Sequence, residues 1–183
     1  MAETNTSGII AAAADIVAGA FNALPKRVCN QHKFSDYADY LHENLPSQAE
    51  LDLQREKPLN PAPLVSVAIA CSGASRAAVR STLEALGKQT YANFEVCVVS
   101  ELAQAGLTDY EGIPKFRLVL FNGTAHEQLK AAEKMLNGAY FLQLLPGDLP
   151  APDALHMLVL QTHSNPEAEV VFADEDSVID GIR

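Results

Sequence analysis

Apolar positions recur in two rhythms along this chain, and the change between them divides it. Ile9, Ile10, Ala13, Ile16, Val17, Ala20, Phe21 and Leu24 return at helical spacing behind the cap candidates Asn5, Thr6 and Ser7, and Pro25 follows as a stop. "SDYADYLHENL", residues 35–45, and "SQAELDLQREK", residues 47–57, read as two more helical pieces parted by Pro46. Ser47 and Glu50 form a Ser-x-x-Glu capping box at the start of the second. "PLNPAP", residues 58–63, sets three prolines in six residues and predicts an extended connector.

From Leu64 onward, short continuous apolar runs alternate with helical patterns. "LVSVAIAC", "FEVCVVS", "FRLVLF", "AYFLQLL" and "EVVFAD" predict strands; the first and fourth have the character of strands buried on both faces. "RAAVRSTLEALGKQ", "AHEQLKAAEKML" and "PDALHMLVLQTH" predict the helices between them, with Pro152 suited to a first turn. The expected fold is α/β, a mostly parallel sheet flanked by helices and preceded by a helical segment. The expected division is a helical segment over 1–57, the connector 58–63 and the main domain over 64–183.

In such sheets ligands bind outside the carboxyl ends of the strands. The residues just past each strand are Ser72-Gly73, Ser100-Glu101, Asn122-Gly123, Pro146-Gly147-Asp148 and Asp174-Glu175-Asp176. That set is acidic and small, suited to a hydroxyl-rich or metal-bound ligand.

Composition narrows the partners. Hydrophobic residues make up 48% of the 183 and charged ones 20%, enough apolar content for a buried core. Thirteen Lys and Arg against 23 Asp and Glu give a net charge of −10, which argues against nucleic acid or an anionic membrane as the main partner. Cys29, Cys71 and Cys97 lack CxxC spacing, and two lie in apolar runs, so reduced thiols in the cytoplasm are expected. Residues 7–25 follow an acidic "MAETNT" and are interrupted by Asp15, which suits neither a signal peptide nor a transmembrane span. The expected role of that helix is packing, on the domain or on another subunit.

The chain from about residue 34 resembles the nucleotide-binding half of family-2 glycosyltransferases, inverting enzymes of GT-A fold that build bacterial surface polysaccharides among other glycans. "PLVSVAIA" and "STLEALGKQTYANFEVCVVSE" resemble the family's opening strand, helix, Gln-Thr-Tyr turn and second strand. "LNGAYFLQLLPGDLPAPDAL" resembles its Gly-Glu-Tyr strand and Asp-x-Asp turn, and "AEVVFADEDSVIDGIR" its Tyr-Ser-Asp-Glu-Asp segment. "FSDYADYLHENLPSQAELDLQRE" is similar to a helical preface in one bacterial subgroup. The resemblance implies binding of a uridine or thymidine diphosphate sugar (UDP- or dTDP-sugar) with Mg²⁺ or Mn²⁺ bridging the diphosphate, since hard cations take carboxylate and phosphate oxygens. It assigns donor contacts to Ser72, Ser100, Glu101, Asn122, Asp148, Asp174 and Asp176, and the metal to Asp148.

The chain departs from that pattern where the chemistry is done. Leu145, Pro146, Gly147 and Asp148 stand in place of Asp-x-Asp-Asp, so two of three carboxylates are gone. Ala70-Cys71-Ser72-Gly73 replaces Pro-x-Tyr-Asn, Ser100-Glu101 replaces an Asp-Asp pair, and Lys130 stands where a helix Asn is usual. The resemblance places the acceptor half and the catalytic base beyond Arg183, so it implies no catalytic residue here and little transfer by these residues alone. A second reading is a GT-A-like binding or scaffold module partnering a full glycosyltransferase, or itself, through the N-terminal helix.

Local readings compete at several positions. Pro-Gly-Asp around Asp148 is ordinary turn chemistry, and Asp174, Glu175 and Asp176 also suit a solvated cap. Ser72-Gly73-Ala74-Ser75 suits either a phosphate cradle or a helix N-cap at Ser75, the local role being preferred. Lys130 among Glu127, Glu133 and Lys134 fits a solvated ion pair better than a phosphate contact. His126, His156 and His163 lack partners at metal-ligand spacing, and Cys71 lacks a cationic neighbour that would make it a nucleophile.

Overall fold

A computed structural model describes residues 45–101 and 113–173, and by internal contacts the chain divides between Leu45 and Pro46. The helix expected over 7–25, most of the 35–45 helix, Cys29 and the acids Asp174, Glu175 and Asp176 lie outside the described residues.

Helix α1 spans Gln48–Glu56. The capping box is in place: the Glu50 amide donates to Ser47 Oγ at 3.3 Å and the Ser47 amide to Glu50 Oε2 at 2.7 Å. This helix and the connector are fastened to the sheet unit. Arg55 Nη2 donates to Lys88 O, Thr90 Oγ1 to Gln54 Oε1 at 2.6 Å, Asn93 Nδ2 to Ala62 O at 2.7 Å, and the Tyr91 hydroxyl to Pro63 O.

Strands β1 (Val65–Ala70), β2 (Phe94–Ser100), β3 (Phe116–Leu120) and β4 (Tyr140–Leu144) form one parallel sheet in the order β3-β2-β1-β4. Helices α2 (Arg76–Leu86), α3 (Ala125–Glu133) and α4 (Ala154–Ser164) connect or follow them. Val67, Ile69, Val96 and Val98 on one face pack with Val79, Leu83 and Leu86 of α2 and Leu155 and Val159 of α4. Ala68, Cys97 and Val99 on the other face pack with Ala132 of α3. Full burial of a side chain such as Leu83 contributes about 2 kcal/mol, and β1 and β2 are buried along their whole length. This is the expected α/β fold.

Two expectations need correction. "AYFLQLL" is not a strand buried on both faces: β4 is an edge strand on which Tyr140 and Phe141 remain exposed. Residues 169–173, the described part of the fifth strand expected over 169–174, pair with nothing in the sheet and leave Val170 and Phe172 exposed. Strand propensity is realised only when a neighbouring edge supplies the ladder.

Candidate functional site

The strand order defines where a crevice can lie. From β1 the chain moves outward through β2 to β3, then returns to place β4 on the other flank of β1. The crossovers diverge at β1, so the switch point lies between the carboxyl ends of β1 and β4. Cys71-Ser72-Gly73 leaves β1 on one side of it and Leu145-Pro146-Gly147-Asp148 leaves β4 on the other.

The β1 and β2 ends meet, with Ser72 Oγ donating to Glu101 Oε1 at 3.4 Å and both residues exposed. Gly73 takes φ +70°, which lets the chain turn into α2, and Ser75 caps that helix by accepting from the Ala78 amide at 3.2 Å. Ser100 is buried at the end of β2, where its carbonyl accepts from the Phe121 amide at 3.0 Å. Asn122 lies exposed just past β3. Thr124 and Glu127 then start α3 with a reciprocal capping box, and the two hydrogen bonds to Thr124 hold the Glu127 carboxyl below its ordinary value. Lys130 is in the last turn of that helix.

The turn after β4 is closed on itself and tied to α2. Asp148 Oδ2 accepts from the Leu145 amide at 2.6 Å, while the Asp148 amide donates to Leu145 O at 3.0 Å. Gly147, at φ +106°, donates its amide to Thr82 Oγ1 at 2.9 Å, and the same nitrogen lies 3.1 Å from Ala78 O. A hard divalent cation needs several oxygen ligands. The single carboxylate of Asp148 already serves a backbone amide, and the described residues contain no group of three His, Cys, Asp or Glu able to hold a metal. Among the described residues, the turn thus offers a hard cation one carboxylate, short of the set it needs.

Thiol chemistry is also disfavoured beside the crevice: burial pushes Cys71, and likewise Cys97, up to about 11. Burial holds the His156 imidazole on α4 below its ordinary value, with Asp153 opposing. No helix among the described residues is long and apolar enough to cross a membrane.

Two buried polar residues, one at each end of the sheet, escape a reading of the sequence. Thr82 is fully buried on the apolar stripe of α2 and holds Gly147; a hydroxyl inside an apolar helical face is the available signal. Glu95, inside the apolar run "FEVCVVS", sits at the opposite end of the sheet. It accepts from Ser66 Oγ at 2.7 Å, the Asn137 amide at 2.6 Å and Arg117 Nη1 at 3.1 Å. Burial pushes its carboxyl upward, but these donors and Lys115 outweigh that and hold it below its ordinary value.

No protein-family model matches the chain. A relative in Sinorhizobium fredii (strain NBRC 101917 / NGR234), Uncharacterized protein y4gI, is 30% identical over 127 residues, covering 65% of this chain. The chain spans only 14% of that relative's length. Among solved structures, TarS of S. aureus is similar at 18% identity and a TM-score of 0.44, over 55% of this chain and 19% of that one. A likeness that loose does not settle a family.

Proposed function

We propose that this chain is the donor half of a glycosyltransferase of the family-2 type, binding a nucleotide-diphospho-sugar, UDP- or dTDP-linked, for surface polysaccharide assembly in the cytoplasm. The observation that supports the reading is the strand order. It sets Ser72 and Asp148 on the two sides of the switch point, with the ends of β2 and β3, carrying Ser100-Glu101 and Asn122, in line beyond β1. In this reading the Ser72 hydroxyl, the Glu101 carboxylate and the Asn122 amide supply hydrogen bonds to base and ribose. The Leu145–Asp148 turn borders the sugar, and Asp174 and Asp176 are assigned to the donor by the resemblance alone. No step is assigned to a metal and no residue here acts as the catalytic base, so transfer by these residues alone is weak or absent.

A second reading is favoured by one observation: the carboxylate of Asp148 is engaged by the Leu145 amide. On that reading the module binds a partner glycosyltransferase and no longer a nucleotide. Calorimetric titration with uridine diphosphate, with and without Mn²⁺, separates the two. The donor reading predicts saturable binding that weakens at least about tenfold, or about 1.4 kcal/mol, in Ser72→Trp, which sets a bulky ring at the exposed end of β1. It also predicts that Mn²⁺ changes the affinity little. Absence of heat at millimolar nucleotide contradicts the donor reading and leaves the binding module.

A further inference from the structure

The two edges of the sheet are built differently. Strand β3 is guarded against pairing with other chains: Pro114 and Lys115 precede it and Arg117 lies within it. Strand β4 has no such device. From Met135 to Gly147 there is no charged residue, in a chain of net charge −10. Apolar side chains stand exposed on both faces: Tyr140 is in register with Val65 on the face covered by α2 and α4, and Phe141 with Ser66 on the other. Leu145 and Leu149 continue the exposed apolar surface past the strand.

We propose that β4 pairs antiparallel with β4 of a second copy, joining two sheets across a two-fold axis near Leu142. Charge selects this occupant and this direction. An acidic chain approaches its own copy at least cost where it carries no charge, and the uncharged stretch is bounded by Lys134 at one end and Asp148 at the other. Antiparallel pairing sets the Lys134 end of one copy beside the Asp148 end of the other, whereas parallel pairing sets like beside like. The contact is self-complementary, so it closes at two copies. The carboxyl ends of the two sets of strands then point in opposite directions.

Sedimentation velocity on the full chain tests this. At concentrations on the order of 100 µM, suited to a weak interface, the wild type is expected at twice 19.6 kDa. Phe141→Lys with Leu145→Lys, both at exposed positions, is expected to raise the dimer dissociation constant at least about 100-fold with far-UV circular dichroism unchanged. Amide exchange supplies a second reading: in the wild type, outward amides of β4 slow as concentration rises, and in the double variant they do not. A monomeric wild type overturns the proposal, as does a dimer that survives the double substitution. Slow β4 exchange independent of concentration also overturns it, because another stretch of polypeptide then covers the edge.

Discussion

The two ends of the sheet handle polar residues in opposite ways. At the amino ends of the strands, Ser66 of β1 is in register with Glu95 of β2, while Arg117 of β3 stands opposite Cys97, two positions further on, and the Glu95 carboxylate is buried and accepts from three donors. Gly138 closes this knot: its amide donates to Ser66 Oγ at 2.8 Å, and a Cβ there would come within 2.5 Å of that oxygen. Arg117 also donates to Met135 O, so the loop leading into β4 is held to the sheet. At the carboxyl ends, Ser72, Glu101 and Asn122 are exposed, and Ser72 and Glu101 share one long hydrogen bond. A polar group buried at one end is occupied in holding the fold, and an exposed one at the other is available to a ligand.

The sharpest way to break this contrast is Glu95→Ala. Removing a buried charge from its partners costs about 3–5 kcal/mol, and since the Arg117 side chain is 38% exposed, water offsets part of its loss. The expected loss is therefore about 3 kcal/mol, read from urea unfolding midpoints. Gly138→Ala should cost about 2 kcal/mol by the same measurement, because backbone atoms Leu64 O and Ser66 N, each 2.7 Å from the new Cβ, cannot step aside. Thr82→Ala should cost about 1 kcal/mol through the lost bond to Gly147, with faster amide exchange in the turn over 145–148.

Acid sharpens the same comparison. Glu95 is held below its ordinary value of 4.5, so its stabilisation is complete above that pH and is lost as pH falls through the lowered value. The wild-type unfolding midpoint should fall toward that of Glu95→Gln below about pH 4.5. Ser72→Ala, at the exposed end, should change stability by no more than about 0.5 kcal/mol. A larger loss there would mean that Ser72 holds the fold together in the way Ser66 does.

What the sequence disclosed follows from the range of the forces involved. Periodicity and caps act within a few residues, so α2, β1, β2 and the Ser47 and Ser75 caps were legible. The Thr124-x-x-Glu127 box carries the same local signature and was open to the same reading. Glu95 was hidden because its partners, Ser66 and Asn137, lie 29 and 42 residues away and are recruited only by the register of the sheet. The strand expected over 169–174 failed for a related reason: its Val and Phe pattern is local, but pairing depends on a neighbour elsewhere. At the candidate site, the strand ends could be placed from the sequence alone. That the Asp148 carboxylate caps its own turn through the Leu145 amide is a matter of geometry, visible only in the folded chain.

Amide chemical shifts measured during titration with uridine diphosphate test the central claim most directly, because they report both ends of the sheet at once. Saturable shifts are predicted at Ser72, Gly73, Ser100, Glu101, Asn122, Gly123 and the turn over 145–148, with Ser66, Glu95 and Gly138 unmoved. No shift at millimolar nucleotide, or shifts concentrated at the Glu95 end, would contradict the account.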